Sequence, residues 1–290
     1  MKDFFDEVDS TGIVEDHINQ ILGLEHSESK RILKSYNEVK NDLIERLASL
    51  PRGTFTAQHL RGVLAQVEAG IIAMNAELSG QTLAGANKAA LLGVDGLLTQ
   101  MKEFDEKFSG AVTPININAS LIASDTSKLL VKRYNTNLDQ YGKGLYEEIS
   151  HGLLTATIGE TTQDEVVARI ASKFGGEEWQ LARIVRTELH NVVNLGKIKS
   201  MEELQEDIPD LLKTLMHPMD SRTGADSKFA ASLKLVEKIE DPFEYTWKKL
   251  TRVFMAPPDR PNDRSVIVPY RKEWGKLREP GFISGKFADA

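Results

Sequence analysis

The chain of 290 residues contains no cysteine. That excludes disulfides, thiolate metal sites and a cysteine nucleophile together, and it fits assembly in a reducing cytosol. Long apolar runs are also missing. The most apolar stretches, such as Gly70 to Met74, are far shorter than a membrane span, so no membrane contact is expected. The opening Met1-Lys2-Asp3-Phe4-Phe5-Asp6 is acidic and lacks an apolar core, so it does not read as a secretory leader. The six histidines, His17, His26, His59, His151, His190 and His217, include no pair at helical ligand spacing. Each is expected to be structural or on the surface. The sequence has no Gly-x-Ser-x-Gly elbow, Walker loop or dinucleotide fingerprint. The expectation is a protein without metal, cofactor or catalytic residues.

An overall basic charge is lacking too. The net charge is −7, which disfavours tight DNA binding by the whole chain. The charge is uneven, however. Asp3, Asp6, Glu7, Asp9, Glu15, Asp16 and Glu25 crowd the start, whereas Lys248, Lys249, Arg252, Arg271 and Lys272 lie near the end. These last five are candidate contacts to DNA or an acidic partner; a solvated surface is the plainer reading.

What is present is helical periodicity. Ile32, Tyr36, Val39, Leu43 and Leu47 fall on one helical face. Pro51-Arg52-Gly53 should stop that helix, and Thr56 can cap the next. A second stripe runs through Leu60, Val63, Leu64, Val67, Ile71, Met74 and Leu78. Gly80 is read as an interruption before a third stripe of Leu91, Val94, Leu97, Leu98, Met101, Phe104 and Phe108. Such stripes predict an antiparallel helical bundle, with an intermolecular coiled coil as the alternative. Ser109-Gly110-Ala111 and Pro114 break the pattern. A further helix is predicted from about Ser124 to Thr157, ending at Ile158-Gly159-Glu160.

Thr162-Gln163-Asp164-Glu165 reads as a capping box for a helix that Gly175-Gly176 stops. Another helix then spans Trp179 to about Lys197. Leu211 to Met216 and the β-branched Val266-Ile267-Val268 are strand candidates. The fold class is therefore mainly α, a helical bundle followed by a small α+β domain. The boundaries drawn are 1–113 for the bundle, 114–160 for a linker and long connecting helix, 161–275 for the α+β domain and 276–290 for a tail or arm.

Three polar clusters stand out in the second half. The first is Ala182-Arg183-Ile184-Val185-Arg186-Thr187-Glu188 with Asn194, on a predicted helix, where a solvated face with a local ion pair is the plain reading. The second is the turn-forming Asp220-Ser221-Arg222-Thr223-Gly224. The third is Pro257-Pro258-Asp259-Arg260-Pro261-Asn262-Asp263-Arg264-Ser265, a proline-stiffened loop before a strand.

In this order the three clusters resemble the Mu F-like family of phage head morphogenesis proteins, the minor head proteins, over roughly residues 160 to 270. The residues that carry the resemblance are Arg183, Arg186, Thr187, Glu188, Asn194, Asp220, Arg222, Thr223, Pro257, Pro258, Pro261, Asn262 and Arg264. Ser227, Arg260, Asp263 and Ser265 depart from it, standing where the family commonly has histidines and cysteines. A metal held there by other members is not expected here, and the loop should be fixed by prolines and hydrogen bonds.

The resemblance implies a structural protein of a tailed bacteriophage, assembled in the host cytoplasm and carried inside the virion head. Its expected partners are the portal protein, the major capsid protein or packaged DNA, with self-association around the portal as a further expectation. Two other classes are the alternatives. One is an ejected DNA-binding protein. The other is an enzyme, because Arg186 and Glu188 resemble the Arg and Glu of ADP-ribosyltransferases. Two residues apart on one helix, however, they point in different directions.

Overall fold

A computed structural model describes residues 4–9, 11–49, 57–157, 163–221, 223–260 and 263–275. The stop at Pro51-Arg52-Gly53, the caps at Thr56 and Thr162, the helix end at Ile158-Gly159-Glu160, Arg222, Pro261, Asn262 and the tail from Lys276 lie outside the described residues.

Long helices come first: α1 (Phe4–Asp9), α2 (Ile13–Ala48), α3 (Ala57–Phe104), α4 (Ala119–Thr157) and α5 (Gln163–Leu204). Then follow β1 (Leu212–Met216), α6 (Ala225–Leu233), β2 (Val236–Lys238), β3 (Phe243–Trp247), β4 (Leu250–Phe254) and β5 (Val266–Tyr270). The protein is thus mainly helical, with long N-terminal helices packed together and a small C-terminal region holding two antiparallel sheets.

Two sequence readings are corrected. Gly80 does not interrupt α3, and Gly175-Gly176 does not stop α5. A glycine inside a helix costs only about 1 kcal/mol relative to alanine. The apolar stripes on either side, such as Met74 and Leu78 before Gly80 and Val94 and Leu97 after it, are buried and outweigh that cost. The break after α3 is real. A π-helical turn, Asp105–Ser109, ends at Gly110 with φ 71°, and the Asn118 side chain then accepts from the Leu121 N–H at the start of α4.

The helices divide their length between two compact units. One comprises Ser27–Gly85 and Lys128–Val185. Its core includes Ile32, Tyr36, Val67, Ile71, Met74, Leu78, Leu145, Ile149, Leu181 and Val185. Lys40 of α2 pairs with Glu178 of α5 at 2.7 Å, and Arg31 donates to the Gln81 carbonyl of α3 at 2.7 Å.

The other unit comprises Met1–His26, Ala86–Ser127 and Arg186–Ala290. Small residues bring α3 and α5 into backbone contact within it. A Cβ on Gly93 would lie 2.1 Å from the Val193 carbonyl oxygen, and one on Gly196 would lie 2.8 Å from that of Ala90. At one end Phe4, Phe104, Phe108, Tyr270 and Trp274 form an aromatic cluster. The buried Asp105 ties it down, accepting from the Trp274 ring N–H at 2.9 Å and from the Thr113 N–H at 2.8 Å.

The larger sheet has the order β2-β1-β5. Thr214 lies opposite Val268 and Met216 opposite Val266. The second sheet is the β3–β4 hairpin, with Phe243 opposite Phe254 and Trp247 opposite Leu250. The strand expectations at Leu211 to Met216 and Val266 to Val268 match β1 and β5.

Candidate functional site

Strand β5 is an edge of its sheet, and an edge strand leaves every second residue with an unpaired N–H and C=O. Helix α5 covers that edge with side chains at i, i+4 and i+7. The Asn194 side-chain oxygen accepts from the Ile267 N–H at 2.8 Å. Lys197 Nζ donates to the Ile267 carbonyl at 2.8 Å and to Gln100 Oε1 at 3.1 Å. The Ser265 carbonyl accepts from His190 Nε2 at 2.7 Å and from Asn194 Nδ2 at 3.3 Å. At Pro269, the next outward-facing residue, there is no N–H to satisfy. His190, Asn194 and Lys197 are all fully buried.

The hydrogen bonds fix the chemistry of His190. A carbonyl only accepts, so Nε2 carries hydrogen. On the other side Nδ1 meets Glu25 Oε1 of α2 at 2.8 Å, so with an ionised Glu25 the ring is an imidazolium. Burial opposes that charge, but the Glu25 hydrogen bond and charge and the Ser265 carbonyl outweigh it, and the pKa is raised. Lys197 has neutral partners at both of its hydrogen bonds, and burial brings its ammonium down to about 7. His17, its ring against Gly96, is held at about 2 by burial and by the nearby Lys197 and His190 charges.

Below this edge the two loop motifs meet. Arg264 grips Asp220 with two bonds of 2.7 Å each, the fork geometry suited to a carboxylate. Thr223 closes the loop by donating to the Pro218 carbonyl. The loop opening with the cis peptide Pro257-Pro258 is tied across by Asp263, which accepts from the Asp259 N–H and from the Ser265 N–H and hydroxyl. Burial would raise the Asp263 carboxyl, but the Ser265 hydroxyl and the His217 and His190 rings hold it below the ordinary value.

The four positions that depart from the family pattern gather here. Arg260 bonds the Ser227 hydroxyl and pairs with Asp226 and Asp259, both at 2.9 Å. Ser265 bonds His217 Nδ1. Because the Ser265 hydroxyl gives its hydrogen to Asp263, it accepts from His217, which places the hydrogen of that ring on Nδ1. Burial keeps His217 neutral, with a pKa of about 4. His217, Asp226, Ser227, Arg260 and Asp263 line a cavity of about 210 Å³. Among the described residues no group of three or more His, Asp or Glu side chains is placed to hold a metal ion.

The remaining motif residues are more dispersed. Arg183 stacks its guanidinium over the Trp179 ring at 4.6 Å. Arg186 is exposed, Thr187 half-buried and Glu188 buried, so Arg186 and Glu188 do not converge on one face. Pro257 is buried and Pro258 half-buried. Of the basic candidates, Arg252 pairs with Asp259 at 3.2 Å, and Arg271 pairs with Asp105, Asp210 and Glu273. Lys248, Lys249 and Lys272 are exposed. The plain reading of the Asn194 face as solvated is corrected: its polar groups are buried against β5. Sequence reasoning missed Glu25, Gln100, Lys197 and His217 as members of this network.

Comparison with family models, with curated proteins and with solved structures finds no match.

Proposed function

We propose that this chain is a minor head protein of the Mu F-like type, a structural component carried in few copies inside the head of a tailed bacteriophage, near the portal. One observation carries the reading: motif residues that lie far apart along the chain come together on the few residues that lead into one strand. Asn194 of α5 bonds Ser265 and Ile267, and the adjacent Arg264 bonds Asp220 and Thr223 of the second motif. Residues chosen to fix one small domain would be arranged this way.

The architectural role is supported by where the polar groups point. The Arg264 and Arg260 guanidinium groups are engaged with carboxylates of the same unit, and His190, Asn194 and Lys197 are engaged with backbone. The separation of Arg186 and Glu188 favours this role over a transferase. The exposed Lys248, Lys249 and Lys272 leave room for contact with packaged DNA or an acidic partner. The portal or the major capsid protein is the proposed docking partner.

The test is quantitative mass spectrometry of nuclease-treated, density-purified particles from cells producing the phage that encodes the chain. The chain should be present at a small fraction of the major capsid protein. Its absence from the particles would refute the proposal.

A further inference from the structure

Helix α1, the start of α2 and the residues that follow β1 enclose a groove of about 320 Å³. Its apolar lining includes Val8 of α1, Val14 and Ile18 one turn apart on α2, and Met216 at the end of β1, all buried. Met219 lines the same groove and is 66% exposed, an adaptable apolar side chain left largely in water. At Gly12, between the two helices, an added Cβ would meet nothing within 4 Å, so the groove is unobstructed there.

The charge of the groove has one sign. Arg264 and Asp220 both line it and neutralise each other. That leaves the Asp9 and Glu15 carboxylates. Burial and the neighbouring Asp6 hold the Asp9 carboxyl above its ordinary value, and Lys234 only partly offsets them. A short segment that brings apolar side chains together with positive charge therefore suits this groove.

The chain carries such a segment close by. Gly275, the last described residue, lies against α1: a Cβ on it would stand 3.7 Å from the Phe4 Cβ. Phe4 is one helical turn, about 6 Å, from Val8 of the groove. Residues 276–290 continue from that point with Phe282, Ile283 and Phe287, and Lys276, Arg278 and Lys286 outnumber Glu279 and Asp289. Fully extended, they would reach roughly 50 Å, so span sets no limit. A tethered segment also acts at an effective concentration on the order of millimolar, ahead of a free partner present at less.

We propose that the groove beside α1 and α2 is a docking site for residues 276–290 of the same chain, with Phe282 and Ile283 on the apolar lining and the basic residues along the side of Asp9 and Glu15. This rests on the groove and on where the segment leaves the fold, and it does not depend on the proposed phage role.

The absence of cysteine makes the test specific, since Ser284→Cys takes a single nitroxide label. In the full-length chain with isotope-labelled methionine methyl groups, the label should broaden the Met219 signal, assigned through Met219→Leu. Phe282→Ser with Ile283→Ser in the same labelled chain should restore most of the lost intensity. Mixing nitroxide-labelled chain without the isotope into isotope-labelled chain without the nitroxide should leave the Met219 signal sharp. The proposal is overturned if Met219 stays sharp in the singly labelled chain, as it would if another protein fills the groove. It is equally overturned if the double substitution leaves the broadening unchanged. Broadening as strong in the mixture would assign the groove to the segment of a second copy and overturn it too.

Discussion

Lys197→Met probes the sealed β5 edge through its pH dependence. Burial holds the Lys197 ammonium at about 7 in the folded chain, against ~10.4 when unfolded. Between those values the unfolded chain binds a proton that the folded chain does not, so folding is favoured progressively as pH rises. Below pH 7 both states are protonated and the cost of the buried charge is fully present. One pKa unit corresponds to ~1.36 kcal/mol, so between about pH 7 and 9.5 the contribution grows by about 3 kcal/mol. Methionine removes the charge but leaves the Ile267 carbonyl and Gln100 without their donor, at about 1–3 kcal/mol. The variant should therefore match or exceed the parent in stability near neutrality and fall behind it in mild base. Denaturant unfolding of both proteins across this range provides the comparison, since titrations not coupled to Lys197 cancel in the difference. A difference that does not change with pH would refute the account of Lys197 as a buried amine with neutral partners.

Other perturbations give distinct outcomes. Asn194→Ala orphans the Ile267 N–H and should cost about 2 kcal/mol in the same unfolding assay. His190 has a raised pKa, so its contribution to stability should be complete below its unfolded value near ~6.5 and be lost as pH rises through the folded value. NMR titration should find that Glu25→Gln lowers the His190 pKa. Gly80→Ala meets open space and should stabilise the protein by up to about 1 kcal/mol. Gly93→Ala drives a methyl into the Val193 carbonyl and should lower the thermal midpoint.

The long helices and the strands β1 and β5 were legible because period and composition agree there. Gly80 and Gly175-Gly176 misled because helix breaking is a local tendency, while the buried stripes beside them act over many turns. The hairpin was missed although Phe243, Tyr245 and Trp247 alternate cleanly, because its turn is Lys248-Lys249 rather than an asparagine–glycine pair. Asn194, Asp220 and Arg264 could be picked out as motif residues, but their partners could not. Nothing in the spacing of Glu25, His190 and Lys197 reveals that they are buried together; a polar stripe on a helix faces water by default, and only the packing against β5 reverses that. Asp105 is similar, since its link to Trp274 joins residues 169 positions apart in the sequence.

The proposed role inside the phage head is tested most directly by an electron cryomicroscopy map of the whole particle, reconstructed without imposed capsid symmetry. Density that fits this chain is expected on the inner side of the portal vertex, in few copies. Density on the particle exterior or in the tail, or particles complete without the chain, would contradict the assignment.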